Sequence, residues 1–217
     1  MKKHILTLML LGALTGAMIP VNGQDIDLPA PDKTGGKPLM QTLSERQTTR
    51  SFTNDNLTLQ QLSDLLWAAF GINRPDQGKR TAPSAMNWQE IDLYVTLPGG
   101  CYVYSADSNK LKFINTKDLW GATGSQSFVA GAALNIVYVA DMGKRGKKEG
   151  EEIKDSDMFM SYADAGLIAQ NVYLYCASAN LGCVVRGTVP KGTLAEDLGL
   201  RSNQIILLAH TVGVPAK

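Results

Sequence analysis

Arg46-Gln47-Thr48-Thr49-Arg50-Ser51-Phe52 sets two guanidinium groups four residues apart, with an amide and two hydroxyls between them. In a helix, residues at that spacing share a face. Two guanidinium groups side by side grip a phosphate through paired N–H donors, and Thr48 and Thr49 add hydroxyl donors. The same residues also read as a solvated helical turn in which Glu45 pairs with one arginine. Two further stretches stand with this one as candidates: Pro83-Ser84-Ala85-Met86-Asn87-Trp88-Gln89, and the dipeptide Arg186-Gly187.

Other chemistries find little material. His4 lies in the first few residues, so His210 is the one histidine left to the folded domain. A zinc site with several imidazoles is then impossible within one chain, and no nucleophile-elbow motif accompanies His210. No glycine-rich dinucleotide loop follows a strand, and Gly121-Ala122-Thr123-Gly124 is too short for one. The acid pairs Asp155/Asp157 and Glu151/Glu152 lie in or beside a charged loop, which gives a glycosidase reading little support. The net charge of +1 argues against nucleic acid. The basic run Lys144-Arg145-Gly146-Lys147-Lys148 is answered at once by Glu149, Glu151 and Glu152, and reads as a solvated loop with no partner. Cys101, Cys176 and Cys183 are expected as buried free thiols or, at most, one disulfide. If Cys176 and Cys183 were both helical, the rise would part them by about 10 Å, too far to bridge.

The elements that must carry these residues follow from periodicity. Residues 1–23 read as an export signal: Lys2 and Lys3, an apolar run over Ile5–Ile19, then small residues before Gln24. The run falls short of the roughly 20 apolar residues of a comfortable span, although an uncleaved anchor helix is the alternative. No cysteine follows it to take a lipid. The expectation is an exported, periplasmic protein with no stable membrane anchor after cleavage. Residues 24–41, rich in Pro, Gly, Asp and Lys, predict an extended arm, and residues 42–217 one domain. Leu43–Thr49 predicts a short helix capped by Thr42 or Ser44. Leu57–Phe70 is an amphipathic helix with Thr58 as cap and Gly71 as stop. Asn73–Ala82 predicts a mobile polar loop. Ile91–Leu97 alternates as a strand with one wet face, Cys101–Ser105 and Leu111–Ile114 as a hairpin, and Leu134–Ala140 as a central strand. Lys117–Ala132 predicts two helical pieces, and Lys144–Ile153 a charged loop. Asp155–Leu181 is the longest helix, rich in small residues that admit another backbone, and ends at Gly182. Thr193–Leu198 and Ile205–Ala209 give a last helix and strand. The sum is an α+β domain with an anion-binding candidate and no side-chain catalyst.

Taken together, the stretches resemble the nitroreductase family of FMN-dependent oxidoreductases. Arg46, Thr48, Arg50 and Phe52 fit its Arg-x-Ser-x-Arg/Lys-x-Phe motif with Thr for Ser, and Pro83, Ser84, Asn87 and Gln89 fit its Pro-Ser-x-x-Asn-x-Gln motif. Asp164–Asn171 and the strand ending in Gly213-Val214-Pro215 are similar to the family's in place and order. The resemblance runs from Leu43 to Pro215. It implies a mostly antiparallel central sheet flanked by helices, with an FMN site at a homodimer interface. It implies that Arg46 and Arg50 hold the FMN phosphate, and that Gln47 and Thr48 reach the ribityl chain or ring edge. Pro83, Ser84, Ala85 and Asn87 would contact the cofactor from the other subunit, and Arg186 and Gly187 would lie near its reactive edge. The family commonly has an acidic residue where Arg186 stands, so the role of that side chain is open. Chemistry is the flavin's own, passed in two steps from a small-molecule donor to an acceptor such as a nitroaromatic or a quinone, or run as a substrate oxidation. The alternatives are a non-catalytic flavin carrier and a binding module for another anion on the same fold.

Overall fold

The computed structural model describes residues 23–217, so the expected export signal, but for Gly23, lies outside the described residues. In chain order the elements are β1 (Ile26–Asp27), α1 (Leu39–Glu45), α2 (Leu59–Phe70), β2 (Ile72–Arg74) and β3 (Lys79–Arg80). There follow β4 (Ile91–Leu97), β5 (Gly100–Ser105), β6 (Lys110–Asn115), β7 (Leu134–Asp141) and α3 (Asp155–Ser178). The chain closes with β8 (Gly182–Arg186), α4 (Lys191–Leu198) and β9 (Gln204–Gly213). Seven strands form one sheet in the order β1-β6-β5-β4-β7-β9-β8. Every pairing in it is antiparallel. The α+β class and the antiparallel sheet are as expected.

Period-two alternation sorts the core. Leu134, Ile136, Tyr138 and Ala140 of β7 face α2 and α3 in the larger apolar cluster, while Val137 and Val139 face α4. Both faces of the central strands are therefore covered. That corrects the expected wet face of β4, of which only Asp92 is partly exposed. α2 begins as its sequence demands: Thr58 accepts from the Gln61 N–H at 3.1 Å, and the Gln61 side chain accepts from the Thr58 N–H at 2.9 Å, a reciprocal cap.

Four expected elements come out differently. The arm is shorter, because α1 starts at Leu39 behind Pro38 with no side-chain cap, and ends at Glu45. The stretch after α2 is a two-stranded ribbon, β2 with β3, rather than a loop. Lys117–Ala132 holds a single 3-10 turn, Gly121–Thr123, because its groups are tied to a buried arginine described below. α3 stops at Ser178, and Gly182 opens β8, a strand for which the sequence reading gave no element.

His210 lies within β9 and is fully buried, not at a strand end. Its Nδ1 and the Tyr138 hydroxyl are 3.1 Å apart, and Nε2 has no partner among the described residues. Burial, then the charge of Arg186, pushes its pKa down to about 3 from 6.5. The unfolded chain takes up a proton there below 6.5 and the folded chain does not. Stability is therefore whole above that pH and drains as pH falls toward 3, by up to about 1.4 kcal/mol per pH unit. Urea unfolding of His210→Gln across this range is expected to show a flatter pH slope than the parent; parallel slopes would contradict it.

Candidate functional site

The arginine stretch is extended, not helical. Arg46 closes α1 by donating its N–H to the Thr42 carbonyl at 2.9 Å. Beyond it, the Thr49 N–H donates to the Cys183 carbonyl at 2.9 Å and the Thr53 N–H to the Val214 carbonyl at 2.8 Å. The Ser51 carbonyl accepts from the Ala216 N–H at 3.0 Å, and Phe52 bridges Pro215. Bonds at residues 49, 51 and 53 have the period of a strand, and they outcompete a helical turn. Extended residues two and four apart share a side. Arg46 and Thr48 do: the Arg46 guanidinium lies 5.3 Å from the centre of the Tyr173 ring, and Thr48 Oγ1 is 3.1 Å from the Tyr173 hydroxyl. Arg50 falls on that side by the same alternation and is exposed. Thr49 and Phe52 pack the other way, where a Cβ on Gly182 would stand 2.7 Å from the Thr49 methyl and 3.2 Å from the Phe52 ring. Among the described residues neither Arg46 nor Arg50 has a carboxylate partner. A cleft of about 510 Å³ opens beside the stretch, lined by Gln47, Thr49, Cys176 and Pro215.

The Pro83 stretch is a tight loop before β4. Met86, Asn87 and Gln89 all have positive φ, at 49°, 55° and 49°. Such backbone costs on the order of 1–3 kcal/mol per residue and persists only where neighbours hold it. Ser84 Oγ accepts from the Gln89 N–H at 3.0 Å, and the Ala85 N–H donates to Asp164 Oδ2 at 2.9 Å. The Gln89 side chain is spent on Arg80 Nε and the Gly78 carbonyl, at 2.7 and 2.8 Å. Pro83, Met86 and Asn87 are left exposed, Met86 by 82%.

Arg186 turns inward. Its Nε donates to Thr211 Oγ1 at 3.0 Å, Nη1 to the Thr123 carbonyl at 2.8 Å, and Nη2 to Thr123 Oγ1 and Asn135 Oδ1 at 3.0 and 3.2 Å. Burial draws its pKa down to about 10. The side chain fastens the loop around Thr123 to the sheet and is not offered to a ligand. Gly187, directly after β8, is exposed. The Lys144–Lys148 run is only partly solvated, because Arg145 stacks on Trp88 at 4.0 Å. All three thiols are buried and free. Burial and the neighbouring Cys183 push the Cys176 thiol far up. Among the described residues no cluster of His, Cys, Asp and Glu could hold a metal ion.

α3 relates the two exposed stretches. The arginine stretch meets it at Tyr173 and the Pro83 loop at Asp164. Nine residues of helix separate these by about 13 Å along the axis and half a turn around it. Between them runs an exposed stripe: Phe159, Met160, Ala163, Gly166, Leu167 and Gln170, with Phe159 71% exposed. Within one chain, then, the two stretches sit on opposite flanks of an uncovered apolar stripe. Tyr173 and Asp164 were not among the sequence candidates. An acid inside an otherwise apolar helical face was the visible signal for Asp164; Tyr173 gave none.

Residues 43–214 match the model of the nitroreductase family. A crystal structure from Ralstonia eutropha described as a nitroreductase is 44% identical, with 89% of this chain and 90% of that one covered and a TM-score of 0.82. A Methanocaldococcus jannaschii protein of the same description is 26% identical, over 86% of this chain and 96% of its own. A Desulfovibrio desulfuricans structure in complex with FMN shares the fold at 20% identity and a TM-score of 0.59, covering 84% of this chain and 89% of that one.

Arg186→Met keeps the bulk and strips the donors from Thr123 and Asn135. Chemical denaturation is expected to show a loss of about 3 kcal/mol, the scale of several buried acceptors left unpaired. A loss within error of zero would mean the guanidinium is dispensable.

Proposed function

The chain belongs to the nitroreductase family, and from that premise we propose that it works as an exported homodimeric FMN-dependent oxidoreductase, passing electrons from a small-molecule donor to a nitroaromatic- or quinone-type acceptor. One observation carries the reading: Arg46 over Tyr173 and the exposed Arg50, at alternate positions of an extended stretch, have no carboxylate partner among the described residues. A phosphate supplies the charge and the oxygen acceptors such a pair lacks. The residues therefore fit FMN, whose isoalloxazine supplies the redox chemistry when bound.

The chain's own groups bind and orient. The Val185 N–H donates to the Tyr173 hydroxyl at 3.1 Å. The same hydroxyl lies 3.1 Å from Thr48 Oγ1, which holds the Thr48 side chain beside the arginines. Gln47, exposed beside Thr48, adds an amide for the ribityl chain or ring edge. Pro83, Ser84, Ala85 and Asn87 would meet the cofactor from the partner subunit, since they lie across α3 from the arginines of their own chain. A second copy laid on the Phe159–Gln170 stripe would bury that apolar face, and Ala163 and Gly166 would let the helices approach. At Arg186 and Gly187 only the backbone is available to the flavin edge, because the guanidinium is engaged inside. An exported enzyme would not meet NADH or NADPH, so its donor would be of another kind or the reaction would run as a substrate oxidation.

The purified protein is expected to be yellow and to elute as a dimer. Arg46→Ala/Arg50→Ala should weaken FMN binding by about 100-fold or more, at roughly 1.5–3 kcal/mol per charge-assisted bond. Fluorescence titration measures this, and an unchanged affinity would sink the phosphate assignment. Anaerobic reduction with NADH and with non-nicotinamide donors separates the two electron sources, and cell fractionation tests export.

A further inference from the structure

A hollow of about 590 Å³ lies between the arm before α1, α2 and α3, and flavin binding by the arginines does not use it. Leu39, Trp67 and Leu174 give it an apolar lining. Lys33 also lines it, with its ammonium 5.4 Å from the centre of the Trp67 ring and no carboxylate partner among the described residues. Leu174 follows Gln170 of the exposed α3 stripe by one helical turn, so the hollow adjoins the carboxyl-terminal end of that stripe. The other end of the stripe carries Phe159, 71% exposed. One turn before it stands Asp155, exposed and with no basic partner among the described residues.

Helix geometry relates these two ends. A two-fold axis that pairs two copies along the stripe passes where the backbones approach most closely, at Gly166, and it reverses both the direction along α3 and the sense around it. Phe159 stands seven residues before Gly166, about 10 Å along the axis. On a second copy it therefore falls about 10 Å beyond Gly166, level with Asn171 and Leu174. Around the helix, at about 100° per residue, Phe159 lies off the middle of the stripe toward the flank of the arginine stretch. Asn171 and Leu174 lie off it toward the flank of the Pro83 loop. The axis exchanges those flanks, so Phe159 is carried onto the hollow. Asp155, eleven residues before Gly166, falls about 17 Å beyond it, level with Ser178. There the Lys37 N–H donates to Ser178 Oγ at 2.8 Å and fixes the arm that bears Lys33.

We propose that the hollow is a socket for Phe159 of the partner subunit, with Asp155 of the partner subunit reaching Lys33. An apolar ring meets an apolar lining, and an unpaired acid meets an unpaired ammonium. A second copy is the occupant because the axis that seats Phe159 also carries the Pro83 loop of each copy to the arginine flank of the other. A ring sunk into a pocket at the centre of a contact is the form an interface anchor takes. The socket presupposes the dimer proposed above and sets its register.

Sedimentation of the purified protein over a dilution series tests the socket. Phe159 is exposed in the single chain, so Phe159→Ala leaves the fold intact, and it should raise the Kd of the dimer by about 30-fold or more. Asp155→Lys and Lys33→Asp should each weaken the dimer, and the two together should restore it in part. If the doubly reversed pair is no tighter than the single reversals, the Asp155–Lys33 contact is overturned. Phe159→Cys/Leu174→Cys should form a covalent dimer on mild oxidation, and Phe159→Cys alone should not. The two positions are 15 residues, about 22 Å, apart on one helix and cannot bridge within a chain, and the native thiols are buried. A dimer indifferent to Phe159→Ala, or one that fails to cross-link, overturns the socket. A small molecule retained by such a dimer in native mass spectra would give the hollow to a ligand instead. A parent that sediments as a monomer at every concentration sinks the dimer reading and the socket with it. A parent that dimerises but binds no FMN sinks the flavin reading alone, since sedimentation and cross-linking decide the socket without flavin.

Discussion

The backbone pairing of residues 49–53 with β8 and with the residues after β9 is the constraint on which the candidate site depends. The segment has no regular structure of its own. It is straight because alternate N–H and C=O groups are spent on Cys183, Val214 and Ala216, and because Gly182 leaves room for Thr49 and Phe52. The consequence is local and chemical: Arg46, Thr48 and Arg50 fall at alternate positions of an extended segment, while Thr49 packs against Gly182. The carboxyl-terminal residues are thereby part of the site's foundation, since Ala216 and Pro215 hold the strand that aims the arginines.

α3 is the second organising element, and it has two faces with different tasks. Ala165, Ile168, Val172 and Cys176 fill the core against the sheet. The opposite stripe is apolar and uncovered, and the helix edges between carry the groups that reach both candidate stretches. Phe159, Met160 and Leu167 of that stripe remain exposed in the single chain. Charge is managed by the same economy of position. Arg186 is drawn inside and bonded to Thr123, Asn135 and Thr211, and Arg145 is partly buried against Trp88, whereas Arg46 and Arg50 have no carboxylate partner among the described residues.

Much of the fold was legible from the sequence alone. The alternation of β4, β5, β6 and β7, the reciprocal cap at Thr58 and the length of α3 are local signals, and each element stands where its periodicity placed it. The motif residues of the arginine stretch and the Pro83 loop were legible too, as types and order. What the sequence could not decide was their conformation. A spacing of four fits the period of a helix and of a strand equally, and pairing with β8 and with the residues after β9 selects the extended form. The loop around Thr123 carries the composition of a helix and loses it to Arg186, a residue 63 positions away. β8 follows directly on the long helix and is too short to show a period of its own, and pairing with β9 is what makes it a strand. Chain periodicity is set by neighbours a few residues apart. The direction of a guanidinium and the partner of an unpaired edge are set by groups that only folding brings near.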